Sequence, residues 1–407
     1  AEAKPVVAFD ENDKPTELKP DENAPVVIRI FKTIADPFVG RLSLFKVVSG
    51  TLKSGLTLKN ASKDSEEKIS SIYFLKGKKQ ETVDAACAGD IGALAKLSNA
   101  TTGDTLSEGR ELRLPPIELP KPVLSMAVYA AKKGDEDKIF GGLNRLKDED
   151  ISFTVTKNAE TNEMLLSGVG ETQLEILCRK LKNKFGVEAV LKEPRIAYRE
   201  TIKKMAEAEG KHKKQSGGAG QFGQCSVRFE PGAADGQFEF VDAVVGGAVP
   251  RQFIPAVEKG LREAIKEGVL AGYPMVDLKC TLFDGKSHPV DSKEVAFVSA
   301  AKLAYAEGVA KAAPAILEPI YQLKITVPES FMGDILGDMN KRRGRILGME
   351  MVDGKQVINA ECPLAEVLKY ATDLRSMTQG RGSYEMEFVR YEEVPATQVP
   401  KIIEDAK

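Results

Sequence analysis

The stretch from Lys211 to Gly223 reads KHKKQSGGAGQFG and is the most informative part of the sequence. In it, basic side chains lead directly into residues 217–223, of which four are glycine. Because glycine has no Cβ and tolerates positive φ, the backbone of such a loop can come very close to a partner. The flanking lysines favour a partner that is rich in phosphate. A solvated hairpin has the same local composition, so the choice between a plain turn and a binding loop depends on the rest of the chain.

The whole chain has the composition of a large globular protein with several domains. Its 407 residues correspond to roughly three domains of ~150 residues each. Hydrophobic residues make up 42% of the chain and charged residues 29%, which is enough to bury several cores. The formal net charge is only −2, with 58 Lys and Arg against 60 Asp and Glu. Any affinity for nucleic acid therefore has to come from local basic patches.

The residues that usually carry chemistry are sparse and scattered. The five cysteines are odd in number, far apart and never in a CxxC pair, and there are two histidines, so neither a zinc site nor a disulfide framework is expected. The phosphate-binding pattern G-x-x-x-x-G-K-[ST] does not occur in the sequence. We therefore expect no cofactor in this chain and no enzymatic activity of its own. A calorimetric titration with GTP should show no heat of binding.

The two ends of the sequence read as connecting segments. Residues 1–24 begin with Ala1 and are polar and proline-dotted, as expected of a linker inside a longer chain. Residues 396–407 are expected to form a C-terminal tail. No apolar segment has the length of a signal-peptide core or of a membrane span, which predicts a cytoplasmic protein without a membrane partner.

Between these ends, the pattern of strands, helices and turns predicts four blocks. Residues 25–118 contain short, evenly spaced strands with glycine-containing turns, which indicates a small β-barrel. Residues 119–193 read as β-α-β-β-α-β, the ferredoxin-like arrangement, and residues 317–395 repeat that order. Residues 194–316 mix strands and helices around the glycine loop. The predicted fold class is multidomain α+β, with an N-terminal β-barrel, a ferredoxin-like domain, an α+β domain that carries the loop and a second ferredoxin-like domain.

Two polar segments outside the glycine loop also have candidate functions. His288 lies in a loop, and the capping-box pattern of Asp291 and Glu294 predicts that a helix begins at about residue 292. The basic run Lys341-Arg342-Arg343-Gly344-Arg345 lies at the C-terminus of a predicted helix. Cations there compensate the helix dipole, but arginines also suit phosphate binding. Both interpretations of the run stay open.

The sequence resembles elongation factor G, the ribosomal translocase family, in all four blocks and in family order. Residues 209–223 are similar to the loop at the tip of domain IV in that family, and SHPVDSKE (287–294) to a second tip loop with a matching histidine. The other three blocks resemble domains II, III and V. The segments that carry this resemblance are DPFVGRLSLFKVVSGTLKSG (36–55), AGDIGALAKLSNATTGDTL (88–106), LKDEDISFTV (146–155), GVGETQLEI (168–176), FMGDILGDMNKRRGRILGME (331–350) and YATDLRSMTQGRGSYEMEF (370–388).

The resemblance implies a ribosome-binding, RNA-binding translation factor that advances tRNA and mRNA, and that is expected to be a monomer. The GTP-binding domain that precedes the barrel in the family is missing here, so GTP and Mg would belong to the intact protein, a ribosome-dependent GTPase. The residues implied to contact tRNA and mRNA are Gln215, Ser216, Gly217, Gly218, Ala219, Gly220, Gln221 and His288. Those implied to contact ribosomal RNA are Lys341, Arg342, Arg343 and Arg345.

Both implications lead to tests. The two tip loops should meet at one end of the third block, far from the other blocks. Replacing Arg342 and Arg343 with Ala should weaken binding to the ribosome and flatten its salt dependence by roughly 0.7–0.9 in the slope of log K per lost phosphate contact. If binding and slope stay unchanged, the run serves only as a helix cap.

Departures from the family pattern keep other functions open. The family more often has Pro at Ile151, Leu-His at Thr172-Gln173 and an acidic residue at Pro289, and Ala219 also departs from the pattern. These differences leave open a paralogue with altered GTP dependence or a role in ribosome recycling. A ribosome-protection protein of the tetracycline-resistance kind is another alternative, against which QSGGAGQFG and the histidine loop favour the translocase. A third class is a non-ribosomal RNA-binding or scaffold protein. Sedimentation with ribosomes, compared with binding to unrelated structured RNA, separates that class from the others.

Overall fold

The computed structural model describes residues 4–36, 40–77, 79–214, 220–233 and 236–406. It is a mixed α+β chain that divides into two compact units, one ending at Pro194 and one beginning at Arg195. Among the described residues, no helix combines the length and apolarity needed to cross a membrane.

The first unit begins with strands that wrap around one apolar core. Eight of them form an antiparallel sheet in the order β7-β6-β12-β3-β4-β11-β8-β9. Leu58 on β6, Phe45 on β4 and Ile72 on β8 are fully buried in the same cluster, so the sheet curves around it as the barrel prediction requires. The strands are β1 (Val6–Phe9), β2 (Pro15–Leu18), β3 (Val27–Asp36), β4 (Gly40–Ser49), β5 (Thr51–Lys53), β6 (Thr57–Asn60), β7 (Ser65–Lys68), β8 (Ile72–Lys76), β9 (Lys79–Val83), β10 (Ala85–Cys87), β11 (Ile91–Ala95) and β12 (Thr105–Ser107).

The described part of residues 1–24 contains a hairpin of β1 and β2. Ala8 on this hairpin is fully buried against Val27, Val48 and Leu112. The segment that we interpreted as a linker therefore packs on the outside of the barrel through a small apolar cluster of its own.

The rest of the first unit has the ferredoxin-like order β-α-β-β-α-β that the sequence predicted. Its antiparallel sheet has the order β14-β15-β13-β16. Leu143 and Leu146 on α1 and Leu174 and Leu177 on α2 are buried, as their helical spacing requires. The elements are β13 (Leu124–Ala130), α1 (Glu136–Glu149), β14 (Thr154–Lys157), β15 (Met164–Gly168), α2 (Glu171–Phe185) and β16 (Ala189–Lys192).

The second unit begins with the block that carries the glycine loop. Its sheet has the order β18-β19-β21-β20, with β20 parallel to β21 and the other pairs antiparallel. Two glycines allow the β18–β19 hairpin to approach α4 closely. A Cβ on Gly210 would lie 1.8 Å from the Ala300 carbonyl oxygen, and one on Gly223 would lie 2.8 Å from the Ala296 carbonyl carbon. The elements are β17 (Arg199–Ile202), β18 (Ala206–Lys214), β19 (Gln221–Pro231), β20 (Phe238–Asp242), α3 (Ile254–Ala264), β21 (Leu278–Lys286) and α4 (Glu294–Lys311).

The last block has a second β-α-β-β-α-β order, and its sheet runs β23-β24-β22-β25. Strand β22 continues without interruption through the 316/317 position at which the sequence placed a border, because its first residues pair with β17. The elements are β22 (Pro314–Val327), α5 (Met332–Lys341), β23 (Arg345–Val352), β24 (Lys355–Pro363), α6 (Leu364–Val367), α7 (Tyr370–Met377), β25 (Ser383–Glu393) and α8 (Val399–Asp405).

One local prediction about the third block was wrong. Helix α4 begins at Glu294 with an extended Lys293 as its N-cap residue and no side-chain cap hydrogen bond. Asp291 therefore does not cap this helix. Its backbone and side chain instead belong to the loop around His288, whose contacts are described below.

Candidate nucleic-acid interface

The glycine loop connects the ends of β18 and β19. The hairpin stays in register to its last pair, Lys214 with Gln221. The predicted contact residues Gln215, Ser216, Gly217, Gly218 and Ala219 lie outside the described residues. Gly220 and Gln221, which complete the predicted loop, are described.

The second predicted loop meets this end of the hairpin. The Phe222 N–H donates to the Asp291 carbonyl oxygen at 2.9 Å, and the Ser292 hydroxyl donates to the Phe222 carbonyl oxygen at 2.9 Å. Gly220 is buried here, and a Cβ on it would lie 2.8 Å from the Asp291 carboxyl carbon. The absence of a side chain at Gly220 therefore permits the contact. We refer to residues 211–214, 220–222 and 286–293 together as the tip.

Backbone hydrogen bonds orient the imidazole ring of His288 and select its tautomer. Its Nδ1 accepts the N–H groups of Val290 at 3.3 Å and Asp291 at 3.1 Å, so Nδ1 acts as the lone-pair nitrogen and Nε2 carries the hydrogen. An Asp291 carboxylate oxygen lies 3.4 Å from Nδ1. The side chain is 51% exposed, and no described residue bonds Nε2. His288 can therefore donate one hydrogen bond to an external acceptor.

The other histidine of the chain lies at the same end of the hairpin. His212 Nε2 and Gln221 Oε1 are 3.1 Å apart, across the β18–β19 pair. Because an amide oxygen only accepts, the imidazole donates, and the Gln221 NH₂ group stays free of this contact. Gln221 thus presents an oriented amide donor next to the described edge of the glycine loop.

Exposed lysines accompany these donors. Lys211, Lys213 and Lys214 are exposed on β18, as the sequence suggested. The strand register places Lys211 opposite Gln224 and Gln224 opposite Lys286, so Lys211 and Lys286 share one face of the sheet. Among the described residues, no carboxylate lies within ion-pair distance of Lys211, Lys213, Lys214, Lys286 or the neighbouring Lys293. Sequence reasoning missed Lys286, because its proximity to Lys211 depends on a long-range register.

The second basic run, Lys341–Arg345, is here called the arginine corner, and its arginines are engaged by protein acceptors. Arg342 Nε donates to Asp338 at 2.8 Å, Nη2 to Asp373 at 2.7 Å and Nη1 to the Glu366 carbonyl oxygen at 2.7 Å. Arg342 is also the C-cap residue of α5, as the helix-end prediction requires. Every nitrogen of this guanidinium group has a protein partner.

The guanidinium group of Arg343 also has a carboxylate partner at each of its nitrogen atoms. Both of its Nη atoms bind the Glu318 carboxylate, at 2.7 and 2.8 Å, and its Nε donates to Glu366 at 3.0 Å. Glu318 is only 3% exposed, and these bonds raise the pKa of Arg343 above its ordinary value. The Arg343 backbone has φ of 58°, a left-handed conformation that is uncommon outside glycine. The backbone at the end of α5 accounts for it, because the Gly344 N–H donates to the Met339 carbonyl oxygen at 2.7 Å and the Arg343 N–H to the Asn340 carbonyl oxygen at 3.4 Å, the pattern of a Schellman C-cap.

Arg345 belongs to a third ion cluster, centred on Glu361. Arg390 binds the two Glu361 oxygens at 2.9 and 2.7 Å, and Arg345 also contacts this carboxylate. The hydrogen bonds from Arg390, followed by those from Arg345, lower the pKa of Glu361 to about 2. Lys341 is exposed and forms no ion pair with the part of the chain that is described. The predicted contact of all four residues with RNA stays a prediction, but Arg342 and Arg343 would have to exchange protein partners for phosphate.

The described residues contain no group of three or more His, Cys, Asp or Glu side chains that could hold a metal ion. Burial raises the pKa of the Cys225 thiol to about 12, so this cysteine is an apolar core residue and not a nucleophile.

Comparison with known proteins agrees with this layout. Four family models match in sequence order: elongation factor G domain 2 (residues 25–109), domain III (119–193), domain IV (194–313) and the elongation factor G C-terminus (315–402). A crystal structure of a protein from Thermus thermophilus superposes with a TM-score of 0.78 and 38% identity. The match covers 94% of this chain and 58% of that one. The chain belongs to the elongation factor G family and carries its domains II, III and IV and its C-terminal domain.

Proposed function

We propose that this chain contacts tRNA and mRNA as part of a cytoplasmic, monomeric translocase on the ribosome. The observation that carries the proposal is the tip, where Gly220–Phe222 and His288–Ser292 are hydrogen-bonded to each other beside lysines without ion-pair partners among the described residues. In the family to which the chain belongs, the matched domains act together with a GTP-binding domain, so the translocase function is proposed for the intact protein.

The chemistry of the tip suits a partner that is recognised by shape and charge. His288 Nε2–H and the Gln221 amide supply donors for sugar and phosphate oxygens, and the lysines supply attraction that does not depend on base sequence. A factor that acts on every codon needs this kind of contact. The second loop is fixed by the extended backbone of Lys293 and by the hydrogen bond from the Ser292 hydroxyl to Phe222. The donor of His288 is therefore oriented before a partner arrives.

GTP and Mg²⁺ have no role within this chain in the proposal. The sequence lacks the P-loop pattern, and the described residues lack a cluster suited to Mg²⁺. We propose that both bind the domain that the family carries ahead of the barrel. The matched blocks would then transmit the nucleotide state to the tip.

The departures from the family pattern leave open the alternative of a paralogue in recycling or ribosome protection. One of them has a local structural account. Gln173 Oε1 accepts the Val169 N–H at 2.8 Å, and its Nε2 donates to the Ser152 hydroxyl at 2.7 Å. Gln173 thus ties the start of α2 to the turn that follows α1. This departure supports the fold of its block and does not by itself favour a changed function.

The test uses ribosomes and an unrelated structured RNA as competing partners. At physiological salt, the chain should co-sediment with ribosomes and should not bind the unrelated structured RNA. In the factor that joins this chain to a GTP-binding domain, His288→Ala or deletion of residues 217–220 should slow translocation while leaving ribosome binding nearly unchanged. A loss concentrated in kcat indicates a contact that is used during movement and not in docking.

Val245→Ala is the matched control, since Val245 is 83% exposed in a separate loop of the same block. It should leave the rate of translocation unchanged. Full translocation rates in both tip variants would overturn the proposal. Recycling or protection activity without translocation would favour the paralogue instead.

A further inference from the structure

A row of three side chains on the outside of the barrel has an unusual charge pattern. The register pairs Arg29 on β3 with Lys46 on β4, and Lys46 with Ile91 on β11. Their strand neighbours Ile28 and Phe45 are fully buried in the barrel core, so the row faces away from that core. Like charges directly opposite each other on a sheet are destabilising. The Arg29–Lys46 pair therefore favours an anion nearby.

This row borders a cavity of about 330 Å³ beneath the N-terminal hairpin. The cavity floor is apolar, and the three charged groups that line it are all cationic. Ile91 is 60% exposed beside it, whereas Leu114 and Val48 are buried. We call this cavity the basic pocket. Its other lining residues are Lys4, Val6, Arg29, Phe31, Lys46 and Val47.

Arg29 has an unmet hydrogen-bond requirement at the basic pocket. Its Nη2 donates to the Pro115 carbonyl oxygen at 2.6 Å, but its Nε is buried and has no partner among the described residues. Burial also lowers the pKa of Arg29 from its ordinary value. A buried donor without an acceptor is destabilising, and more so when it is charged. No described carboxylate pairs with the Arg29 guanidinium group either, so an anionic head group in the cavity would supply the missing counter-charge.

We propose that the basic pocket binds a small amphipathic carboxylate, with its head group at Arg29 and Lys46 and its aliphatic body against Val48, Leu114 and Ile91. The cavity lies at the small end of the range for ligand sites, which selects a medium-chain fatty acid over a larger molecule. This inference is independent of the tip, since all of its residues belong to the first unit.

Octanoate and 1-octanol are the matched probes, because they share the aliphatic body and differ in charge. With the full 407-residue chain, calorimetry should show octanoate binding at least about tenfold tighter than 1-octanol, as a charge-assisted hydrogen bond predicts. Arg29→Gln and Lys46→Gln should each remove most of that preference. Octanoate should also raise the melting temperature of the wild-type chain but not of these variants.

Lys53→Gln is the control, because Lys53 is exposed on β5 and does not line the cavity. It should bind octanoate as the wild-type chain does. Lys46 is exposed, so Lys46→Gln tests the site even if Arg29→Gln fails to fold. Equal binding of both probes, no octanoate binding at millimolar concentration, or unchanged binding in Lys46→Gln would overturn the proposal.

Discussion

The tip and the arginine corner are both rich in cationic side chains, but the two regions use them differently. At the tip, Lys211 and Lys286 are exposed on one sheet face, and no described carboxylate pairs with them. In the arginine corner, Arg342 and Arg343 donate to four surrounding carboxylates, those of Asp338, Asp373, Glu318 and Glu366. Charge at the tip is directed outward, and the charges of Arg342 and Arg343 in the corner are engaged in internal bonds.

The difference shows that a basic run identifies a binding surface only after its acceptors are known. Lysines keep a strongly hydrated, mobile ammonium group that suits exchange between many phosphates. A planar guanidinium group matches a buried carboxylate in bidentate geometry, as Arg343 does with Glu318. The tip therefore suits ligand binding, and the corner suits the stability of the last block.

The largest effect is expected from removing the buried pair of the arginine corner. Arg343→Ala leaves the Glu318 carboxylate unpaired at 3% exposure and should lower local stability by about 3–5 kcal/mol. Hydrogen exchange of the β22 and β24 amides measures that loss. Lys341→Ala is the control and should stay within about 0.5 kcal/mol of wild type. Equal protection in the two variants would mean that the pair adds nothing.

A second prediction concerns the close contact between β19, next to the tip, and helix α4. Gly223→Ala places a Cβ 2.8–2.9 Å from the Ala296 carbonyl group, and helix backbone cannot easily move away. We expect a loss of about 1–3 kcal/mol, seen as faster hydrogen exchange in β19. Gly337→Ala is the matched control, since Gly337 lies in α5 with nothing within 4 Å of the added Cβ. It should instead stabilise α5 by about 0.5–1 kcal/mol.

The tip and the arginine corner also show which features could be predicted from the sequence. The order of elements in both ferredoxin-like blocks follows from local periodicity, and the structure confirms it. The meeting of Phe222 with Asp291 was expected only through the family resemblance, since the residues are far apart in sequence. The Glu318 and Asp373 partners of the arginine corner depend on long-range packing, which no local pattern encodes. The failed Asp291 cap shows the same limit, because a capping pattern competes with tertiary contacts of the same side chain.

A third prediction concerns how stability depends on pH at Glu361, the carboxylate that Arg345 of the arginine corner contacts. The folded-state pKa of Glu361 is about 2, below its ordinary value of 4.5, so its ionised form stabilises the folded state. That stabilisation is fully present above about pH 4.5 and is lost as the pH falls toward 2. Glu361→Gln should therefore lower the free energy of unfolding by about 1–3 kcal/mol at pH 7, with a difference from wild type that shrinks below pH 4.5.

Urea unfolding of wild type and variant at several pH values measures this difference. Glu350→Gln serves as the control, because Glu350 is exposed on β23 and forms no ion pair with the described residues. Its effect should be small at every pH. A Glu361→Gln difference that is constant down to about pH 2 would show that the Arg345 and Arg390 contacts are not the cause.

The smallest effect is expected in the salt dependence of RNA binding. This measurement tests most directly whether the tip or the arginine corner contacts phosphate. Lys211→Ala and Lys286→Ala should each reduce the slope of log K against log salt by roughly 0.7–0.9 if each lysine neutralises one phosphate. Fluorescence anisotropy with ribosomal RNA at several salt concentrations gives these slopes. Arg342→Ala tests the expectation from the sequence on the same scale, and exchange protection shows whether the last block stays folded. Flattened slopes in the lysine variants alone would assign phosphate contact to the tip. A flattened slope in folded Arg342→Ala, with unchanged slopes in the lysine variants, would reverse the assignment, because a guanidinium group would then be leaving Asp338 and Asp373 to bind RNA.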